Sequence, residues 1–532
     1  MATRMHNLWD VILKMVELTA PSRPTAAMDK IKRRADFGTI ASSLHDEGNR
    51  ITLAHGVFDL LHMGHLRHLE EARSYGDCLV VSITPDRFVN KGPGRPVFEE
   101  LMRAEMLAAM SSVDWVVIND QPTAEAMIET VRPHSYVKGP DYVRAEDDVS
   151  GKISAEQACV EKFGGKIVFT DDITFSSSEL INRHFSPFAP DVRTFIHSMR
   201  DADQKQPLLD LLDRAEGLRV LVVGETVIDE YRYVQPMNKT PKENLVATLY
   251  NSAEVFAGGA VATANHVAAL CREVDLLTLV GHDAEGASVQ QRVKDNVTVY
   301  PVERAMAPTV RKVRYVDSNQ TRKMFEVYHM DDQPLAAGTQ AKVDNFIRAH
   351  AADYDLVIVN DFGHGMITTS TVAALTEASR FLAVNTQTNS GNFGFNLISK
   401  FTDADYVCID TPEARLATGQ KYGAVDRLLT RHLAKMMPTA KIVITQGRDG
   451  CLAYTAGAAP HQVPALADKV IDTVGAGDAF LAITSPLVAA GGDMRQVGFL
   501  GNIAGALKVG IVGHRQSINK VALVKAVVAM LK

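Results

Sequence analysis

The sequence lacks the marks of a secreted or membrane-spanning protein. Its five cysteines lie far apart and form no C-x-x-C pair, so we expect reduced thiols and a cytoplasmic protein rather than a disulfide framework. No apolar run reaches the ~18 residues that a membrane-spanning helix needs. The amino-terminal stretch MATRMHNLWDVILKMVEL carries charged residues through its amphipathic spacing, which predicts a helix and not a signal peptide.

The sequence also has little excess of either charge. Its 56 basic and 63 acidic residues give a formal net charge of −7, which offers no electrostatic basis for binding nucleic acid or a membrane surface. We therefore expect neither of these partners. Small anionic ligands must instead be held by local features of the chain.

What the chain does have is a regular alternation of short apolar runs with amphipathic helical segments. At 532 residues it is long enough for about two to four domains, and it shows no internal repeat or low-complexity segment. The alternation predicts α/β domains whose mostly parallel sheets are covered on both faces. The predicted order is a helical extension over 1–48, an α/β domain over 49–186, a linker over 187–217 and a second, larger α/β domain over 218–532.

The strand candidates are the apolar runs bounded by turn residues. In the first domain they follow Ile51 and are Cys78–Ile83, Trp115–Ile118, Tyr136–Val137 and Ile167–Phe169. In the second they are Val220–Val223, Leu276–Val280, Leu356–Asn360, Leu382–Asn385, Tyr406–Ile409 and Ile442–Thr445. Ligands of such sheets bind at the carboxyl ends of the strands, so we expect the sites there.

The front half is organised around AHGVFDLLHMGHLRHL, residues 54–69. Gly56 and Gly64 allow backbone N–H groups to approach a ligand closely. His62 and His65, three apart on a first helical turn, face one side and can both donate to phosphate oxygens. Such a site suits a nucleoside triphosphate attacked at its α-phosphate. The alternatives are helix-capping or partly buried histidines, and a zinc site, for which no Cys or third His has a useful spacing.

Three further segments of the first domain carry cations or hydroxyls. Lys91 and Arg95 lie in the Gly/Pro-rich stretch NKGPGRPV, as a triphosphate clamp would need, although an exposed basic loop would look the same. Lys138 ends a short strand in YVKGPDY. FSSSEL, residues 175–180, places three hydroxyls before a helix, where they can meet phosphates or simply cap the helix.

The string GVFDLLHMGH resembles the G-x-F-D-x-x-H-x-G-H signature of the cytidylyltransferase-like nucleotidyltransferases. With KGPGRPV, SSVDWVV, VKGPDY and FSSSEL following in that order, it resembles more narrowly the nucleotidyltransferase domain of the bifunctional heptose-phosphate kinase/nucleotidyltransferases. Pro140 departs from this pattern where the family more often has a glycine, so the pocket beside Lys138 is expected to differ.

The resemblance implies a Rossmann-like nucleotidyltransferase domain with assigned roles. His62 and His65 would stabilise the pentavalent α-phosphate, and Lys91 would neutralise developing charge. The sugar phosphate attacks directly and pyrophosphate leaves with Mg²⁺, so no protein nucleophile is needed. The implied nucleotide-binding residues are Gly56, Phe58, Asp59, Gly64, Arg95, Lys138, Ser176, Ser177 and Ser178.

The second chemical centre is DTVGAGDAF, residues 472–480. Gly475, Ala476 and Gly477 at a helix start offer a run of N–H groups, and Asp478 beside them can take a proton from an attacking hydroxyl. A glycine-rich turn alone would be a weak signal. The complete string resembles the signature of the ribokinase-like (PfkB) sugar kinases, which implies Asp478 as catalytic base, the Gly475–Gly477 amides as an anion hole, and an α/β sandwich with a small lid sheet.

Other parts of the second domain resemble that family in the expected order. Asp229 in VVGETVIDEY stands where a sugar hydroxyl is bound, although a solvated loop acid is an equal alternative without this context. The glycine pair Gly258 and Gly259 would lie beneath the sugar. The remaining implied residues are Asp410 and Glu413, which would organise Mg²⁺ through water, and Thr445 and Gly447 at the ATP-facing strand end. Asp361 in VNDFGHG matches a further family segment.

Several positions depart from the family pattern. The asparagine expected soon after the glycine pair stands late, at Asn265, and Asp410 replaces the family's leading asparagine. The segment Val384–Asn396, VNTQTNSGNFGFN, has amides and glycines where a D-P-K-like segment is usual. The domain order is also reversed, with the nucleotidyltransferase first.

The function predicted from these motifs is bifunctional. An ATP-dependent kinase would act on a heptose-type sugar or sugar phosphate, and a nucleotidyltransferase would join a sugar 1-phosphate to a nucleotide, with ATP or CTP as donor and Mg²⁺ as cofactor. One alternative is a nucleotidyltransferase whose degenerate kinase domain binds a ligand or dimerises. Another gives the first domain a polyol phosphate. A homodimer is expected from the resemblance.

Overall fold

A computed structural model describes residues 27–89, 95–139, 153–170, 188–240, 243–320, 322–467 and 470–532. These residues divide into two compact units, the first ending at residue 170 and the second beginning at residue 188. Within the described ranges, no helix combines the length and the apolar character needed to cross a bilayer. The two α/β units match the predicted fold class.

The first unit is built on a six-stranded parallel sheet in the order β1-β4-β3-β2-β5-β6. Its strands are β1 (Ile31–Arg33), β2 (Ile51–Gly56), β3 (Cys78–Ile83), β4 (Trp115–Ile118), β5 (Ser135–Lys138) and β6 (Lys166–Phe169). All six residues of β3 are buried, because a central parallel strand is covered on both faces.

The helices of the first unit cover this sheet on both sides. They are α1 (Arg34–Asp46), α2 (Met63–Ser74), α3 (Glu100–Ala108), α4 (Glu125–Val131) and α5 (Ile153–Lys162). The apolar side chains form two cores, one including Phe37 and Met127 and the other including Leu69 and Leu107. Successive strands run outwards from β2 to β4, and β5 then lies on the other side of β2. The junction of β2 and β5 is therefore the switch point, beside which ligands of such sheets bind.

The described part of the predicted helical extension includes an edge strand. Residues Ile31–Arg33 pair with β4 as β1, ahead of helix α1. Lys30 donates to the carbonyl oxygens of Met110 and Val113 at 3.3 and 2.8 Å. Part of the predicted helical extension, residues 31–33, is thus an edge strand of the sheet. The strand has three residues, of which only Arg33 is exposed, so the sequence shows no clear alternation of buried and exposed positions there.

The second unit contains a nine-stranded sheet in the order β10-β9-β7-β13-β14-β15-β16-β17-β18, parallel up to β16. A smaller sheet has the order β8-β7-β11-β12. The strands are β7 (Arg219–Lys239), β8 (Val246–Gly258), β9 (Glu273–Gly281), β10 (Val297–Arg304), β11 (Val310–Asp317), β12 (Arg322–His329), β13 (Leu356–Asp361), β14 (Leu382–Thr386), β15 (Tyr406–Asp410), β16 (Lys441–Thr445), β17 (Cys451–Tyr454) and β18 (His461–Val463).

Strand β7 belongs to both sheets. Residues 219–225 pair with β9 and β13 in the large sheet, whereas residues from Val227 onward pair with β8 and β11 in the small one. The small sheet, which we call the lid sheet, is therefore a continuation of a central strand of the large sheet.

Helices pack on both faces of the large sheet and bury two apolar cores. They are α6 (Pro190–Asp201), α7 (Lys205–Glu216), α8 (Gly259–Val267), α9 (Ala284–Ala287), α10 (Ala337–His350), α11 (Thr369–Ala378), α12 (Thr411–Thr418), α13 (Val425–Leu428), α14 (Ala434–Met436), α15 (Ala476–Ala489), α16 (Met494–Val509) and α17 (Lys520–Met530).

The segment that we predicted as a linker is largely helical. Helices α6 and α7 occupy it from Pro190 to Glu216. Val192, Ile196 and Met199 recur at helical spacing on α6, and Leu208, Leu211, Leu212 and Ala215 do so on α7; all are buried in a core of the second unit. The prolines and mixed charges of this segment suggested a linker, but its periodic apolar face makes the helices part of the second unit.

Candidate active sites

The first site lies where β2 ends and α2 begins. His62 is the N-cap of α2, and its Nδ1 accepts a hydrogen bond from the Gly64 N–H at 3.1 Å. The rings of His62 and His65 lie 4.1 Å apart between centroids. Burial lowers the pKa of His62 and so favours the neutral imidazole, which can donate from one nitrogen while accepting at the other.

The turn between the strand and the helix is shaped by an aromatic residue in a left-handed conformation. Phe58 has φ of 51° and is buried, with its ring edge-on to His65 at 5.4 Å between centroids. A Cβ on Gly56 would lie 3.1 Å from the Phe58 ring, so the glycine allows this ring to fold back. Phe58 therefore packs against the His65 ring.

Asp59 connects this turn to the residues that follow the basic loop. Its Oδ1 accepts the N–H groups of Val97 at 2.7 Å and Phe98 at 3.0 Å, and Arg95 lies 3.5 Å from its Oδ2. The Arg95 side chain is buried, and burial lowers its pKa while Asp59 opposes this effect. The structure thus pairs Arg95 with Asp59, where the sequence suggested a cation facing a triphosphate.

Arg103 organises the same turn and was not singled out from the sequence. Its fully buried guanidinium donates to the carbonyl oxygens of Val57, Thr84 and Phe98 at 2.5, 2.9 and 2.9 Å, and pairs with Asp86 at 2.6 Å. A single side chain therefore connects the residues after β2, after β3 and before α3. No local motif marks it, because its partners come from three separate segments.

Lys138 at the end of β5 has an internal partner. Its ammonium lies 2.7 Å from the Glu156 carboxylate, which also accepts from the Tyr136 hydroxyl at 3.1 Å. Both charged side chains are buried. Other predicted residues, Lys91, Pro140, Ser176, Ser177 and Ser178, lie outside the described residues.

The second site is a cavity of about 310 Å³ in the second unit, between the ends of the large-sheet strands and the lid sheet. Strand ends β15 and β16, the turn before α15 and lid strands β7 and β11 all contribute to its wall. The predicted residues that line it are Asp229, Gly259, Asp410, Glu413, Thr445, Gly475, Gly477 and Asp478. The other predicted residues, Gly258, Gly447 and Ala476, are absent from this lining set.

The glycine-rich turn forms the start of helix α15. Gly475 is its N-cap with φ of 73°, and a Cβ at this position would lie 2.2 Å from the His514 ring, so only glycine fits. Ala476 donates its N–H to Thr473 O at 3.2 Å, whereas Gly475 and Gly477 line the cavity. This helix N-terminus presents positive potential to an anion in the cavity.

Asp478 lies in the first turn of α15 and is held by Asn360. The Asn360 amide donates to Asp478 Oδ1 at 3.0 Å and to Thr263 Oγ1 at 2.7 Å. Burial raises the pKa of Asp478, while the Asn360 hydrogen bond and the neighbouring His514 and Lys508 act in the opposite direction. The result is a carboxylate of increased basicity with a fixed orientation.

Asp229 faces the cavity from β7. It pairs with Arg314 of β11 and lies 3.5 Å from His514 Nε2. A Cβ on Gly258 would lie 2.2 Å from Asp229 Oδ2, so this glycine leaves room for the carboxylate. His514 was missed from the sequence. Its ring lies among Gly475, Asp229 and Asp478, and burial lowers its pKa while the two acids oppose this effect.

Lys312 supplies a second cation to the cavity wall beside Arg314. It is buried, with its ammonium 5.1 Å from the Tyr328 ring centroid. Among the described residues, no carboxylate lies within salt-bridge distance of it. Burial lowers its pKa, and Asp229 partly offsets this. An anionic ligand could therefore pair with Lys312 without displacing an internal acid.

Asp410 and Glu413 form a capping box at the start of α12. Glu413 N donates to Asp410 Oδ1 at 2.7 Å, and Asp410 N donates to Glu413 Oε2 at 2.8 Å. Burial and the adjacent Asp410 raise the pKa of Glu413 to about 8. A divalent cation would favour the ionised pair. The described residues contain no cluster of three ligating side chains.

The unusual amide-rich segment has a structural role. Asn392 donates to Phe362 O at 2.7 Å, and Asn396 donates to Asp361 O at 3.0 Å. Asp361 is itself buried and paired with Lys400. The same loop after β13 is held from the other side by Glu225, whose carboxylate accepts the N–H groups of residues 362, 364 and 366. The side-chain amides therefore donate hydrogen bonds to backbone carbonyls of a loop at the edge of the cavity.

The family model described as pfkB family carbohydrate kinase matches residues 218–520, and the model described as Cytidylyltransferase-like matches residues 53–183. The chain is similar to the Bifunctional protein HldE of Koribacter versatilis, with 41% identity over 31% of this chain and 33% of that protein. It is also similar to the protein of the same name from Citrifermentans bemidjiense, with 23% identity over 58% of this chain and 63% of that protein.

The chain thus spans about a third of the first of these relatives and under two thirds of the second. Among solved structures, it is similar to the ribokinase of Arabidopsis thaliana complexed with ribose and ATP. That likeness has 18% identity and a TM-score of 0.44, and it covers 59% of this chain and 99% of the other.

Proposed function

Because the chain belongs to the pfkB family of carbohydrate kinases, we propose that its second unit transfers the γ-phosphoryl group of ATP to a heptose-type sugar or sugar phosphate. The single observation that supports this most is the arrangement of Asp478 at the N-terminus of α15, held by Asn360 and facing Asp229 across one cavity. A proton acceptor, an anion site and a hydroxyl-binding carboxylate are the groups that this reaction needs.

In the proposed reaction, Asp229 accepts a hydrogen bond from a sugar hydroxyl and orients the acceptor. Asp478 takes the proton of the attacking hydroxyl as its oxygen bonds to the γ-phosphorus and the bond to ADP breaks. The N–H groups at Gly475 and Gly477 stabilise the negative charge on the transferred group. Mg²⁺, held through water by Asp410 and Glu413, would neutralise charge on the ATP phosphates.

The acceptor of the kinase is proposed to carry a phosphate of its own. Lys312 supports this, because it lines the cavity, is buried and has no carboxylate within salt-bridge distance among the described residues. A phosphate oxygen would satisfy it. Thr445 and Gly447 at the end of β16 are assigned to the ATP side on the family resemblance.

For the first unit we propose nucleotidyl transfer from ATP or CTP to a sugar 1-phosphate with release of pyrophosphate. The acceptor phosphate attacks the α-phosphorus of the nucleotide. His62 and His65 hydrogen-bond to the oxygens of the α-phosphate, and Gly56 and Gly64 allow the backbone to approach the nucleotide closely. Phe58 and Asp59 position this turn. Lys91 and Ser176–Ser178, which lie outside the described residues, are retained as predicted phosphate ligands. Lys138, which pairs with Glu156, is retained as a predicted nucleotide-binding residue.

Three further points of the proposal concern assembly and location. We infer a reversed domain order relative to the bifunctional family, with the nucleotidyltransferase first. We also infer a homodimer formed through the lid sheet, since this sheet exposes Leu249, Tyr250, Phe325 and Val327 and such apolar surface favours association. The five unpaired cysteines support a reducing, cytoplasmic location.

The test is to measure two products from the purified protein. Pyrophosphate release is assayed with ATP, CTP, GTP or UTP against a panel of sugar and polyol phosphates, and ADP release with ATP against the sugars and their monophosphates. We expect turnover in both assays. Pyrophosphate without ADP across the panel would favour a nucleotidyltransferase with a degenerate kinase unit, against which the intact Asp478 site argues.

A further inference from the structure

A buried lysine lies directly behind the anion site. Lys508, the penultimate residue of α16, is fully buried. Its ammonium donates to the carbonyl oxygen of Val474 at 2.8 Å and to that of Gly513 at 2.7 Å. Burying a lysine ammonium costs free energy, and two backbone carbonyls offset only part of that cost. We therefore ask which groups Lys508 holds in place.

Asp472 connects the same two residues through their N–H groups. Val474 N donates to Asp472 Oδ1 at 3.1 Å, and Gly513 N donates to Asp472 Oδ2 at 2.8 Å. Val474 precedes α15 and Gly513 follows α16. Asp472 thus accepts the N–H groups of both residues, and Lys508 donates to the carbonyl oxygens of both. Tyr231 and Lys323 also donate to Asp472, at 2.7 and 2.6 Å.

This clamp acts on the atoms proposed to hold the transferred phosphoryl group. In a trans peptide the C=O and the following N–H point in opposite directions, so fixing Val474 O towards Lys508 also fixes the direction of the Gly475 N–H. The second carbonyl belongs to Gly513, which precedes His514, and the His514 ring packs against Gly475. Lys508 therefore constrains both the peptide plane and the side chain that shape this turn.

The charge of Lys508 also bears on the chemistry. Asp472, Asp478 and Asp229 all favour its protonated form, although burial lowers its pKa. The cation offsets the negative charge that three nearby carboxylates would otherwise impose on an entering phosphoryl group.

We propose that Lys508 is a positioning residue for phosphoryl transfer, an internal cation that orients the Gly475 peptide and makes the site accept an anion. Two backbone carbonyls and a neighbouring carboxylate are oxygen groups that a free monovalent cation could also use. The tethered ammonium makes such an ion unnecessary. This inference rests on the proposed kinase function of the same site.

The test compares Lys508→Met and Lys508→Ala with the wild-type protein and with Lys520→Met. Lys520 is a control because it pairs with Asp213 and Glu216, away from the cavity-lining residues. We expect kcat for ADP production to fall about 100-fold in both Lys508 variants, with the KM for the sugar within about threefold of wild type. Lys520→Met should keep the wild-type kcat.

Two readouts separate positioning from a merely structural role. Ammonium or potassium should raise the kcat of Lys508→Ala, whereas tetramethylammonium, which is too large, should not, and the wild-type rate should be the same in all three salts. Binding of ADP with beryllium fluoride, a mimic of the transferred group, should weaken in Lys508→Met while binding of ADP alone does not.

The inference is overturned if Lys508→Met keeps the wild-type kcat. It is also overturned if the variants lose ADP binding together with their thermal transition and no cation restores turnover. A wild-type protein without ADP production in any salt would instead count against the kinase proposal, and the beryllium fluoride comparison would still report on Lys508.

Discussion

The side-chain amide of Asn360 donates a hydrogen bond to Oδ1 of Asp478 at 3.0 Å, and both residues are buried. The donor comes from the end of β13 and the acceptor from the first turn of α15, 118 residues apart. The hydrogen bond orients the carboxylate of the proposed catalytic base. Burial raises the pKa of Asp478, and this hydrogen bond opposes that rise.

Asn360→Ala should move the pH dependence of the kinase. The reaction needs ionised Asp478, so kcat/KM falls as the pH drops through its pKa. Removing a donor that stabilises the carboxylate raises that pKa further, so the acid limb should shift to higher pH. The plateau should fall about 10- to 100-fold because the base is less well oriented. Thr263→Val, which leaves this hydrogen bond in place, is the control. An unchanged acid limb would contradict the assignment.

Substitutions in the two sites should act independently. Asp478→Asn removes the proton acceptor and should reduce ADP production by about 10²- to 10⁴-fold with little effect on pyrophosphate release. His65→Ala should do the converse. Both activities are measured on the same preparations, with circular dichroism to verify folding. Loss of both activities from either change in a folded protein would contradict the two-site assignment.

Arg103→Met should destabilise the first unit. It leaves three carbonyl oxygens and Asp86 without their buried partner, which we expect to cost about 3–5 kcal/mol. Urea unfolding followed by tryptophan fluorescence reports this, because both tryptophans, Trp9 and Trp115, precede the second unit. Arg50→Ala, which breaks an exposed pair with Asp77, should leave the urea midpoint nearly unchanged, because solvent screens such pairs. Equal effects of the two substitutions would refute the role given to Arg103.

Asn392→Ala should loosen the loop after β13. The Phe362 and Gln387 carbonyls lose a buried donor, which should cost about 1–3 kcal/mol. We expect faster hydrogen exchange in peptides covering 361–366 and a lower thermal transition. Phe395→Ala, in the same segment but with an exposed side chain, should change neither. A variant with wild-type exchange would show that the amides are dispensable.

The motifs predicted the parts of each site that are close together in the chain. His62 and His65 share a helical turn, and the turn before Asp478 is a single segment, so the sequence alone could place them on strand ends and helix starts. The observed bounds of β3 and β4 equal the predicted strands Cys78–Ile83 and Trp115–Ile118, because both are mostly apolar runs bounded by polar or turn residues.

Residues whose partners lie far away in the chain could not be predicted in this way. Arg103, Asn360, Lys508 and His514 act through contacts between separate segments, and no motif assigned a role to any of them. Asp361 was singled out by its motif, but it is buried and paired with Lys400, and it is the neighbouring Asn360 that hydrogen-bonds to Asp478. The deviant segment Val384–Asn396 looked degenerate because its role, holding backbone carbonyls, has no sequence signature.

The continuity of β7 also limits how the protein could be re-engineered. Val223 belongs to the large sheet and Asp229 to the lid sheet, with only five residues between them. A graft that exchanged the lid for one from another kinase would have to splice inside this strand, where its register is fixed by neighbours on both sides. Under the proposed function, acceptor preference is therefore easier to change by substitutions on β11, such as at Lys312, than by exchange of the whole lid sheet.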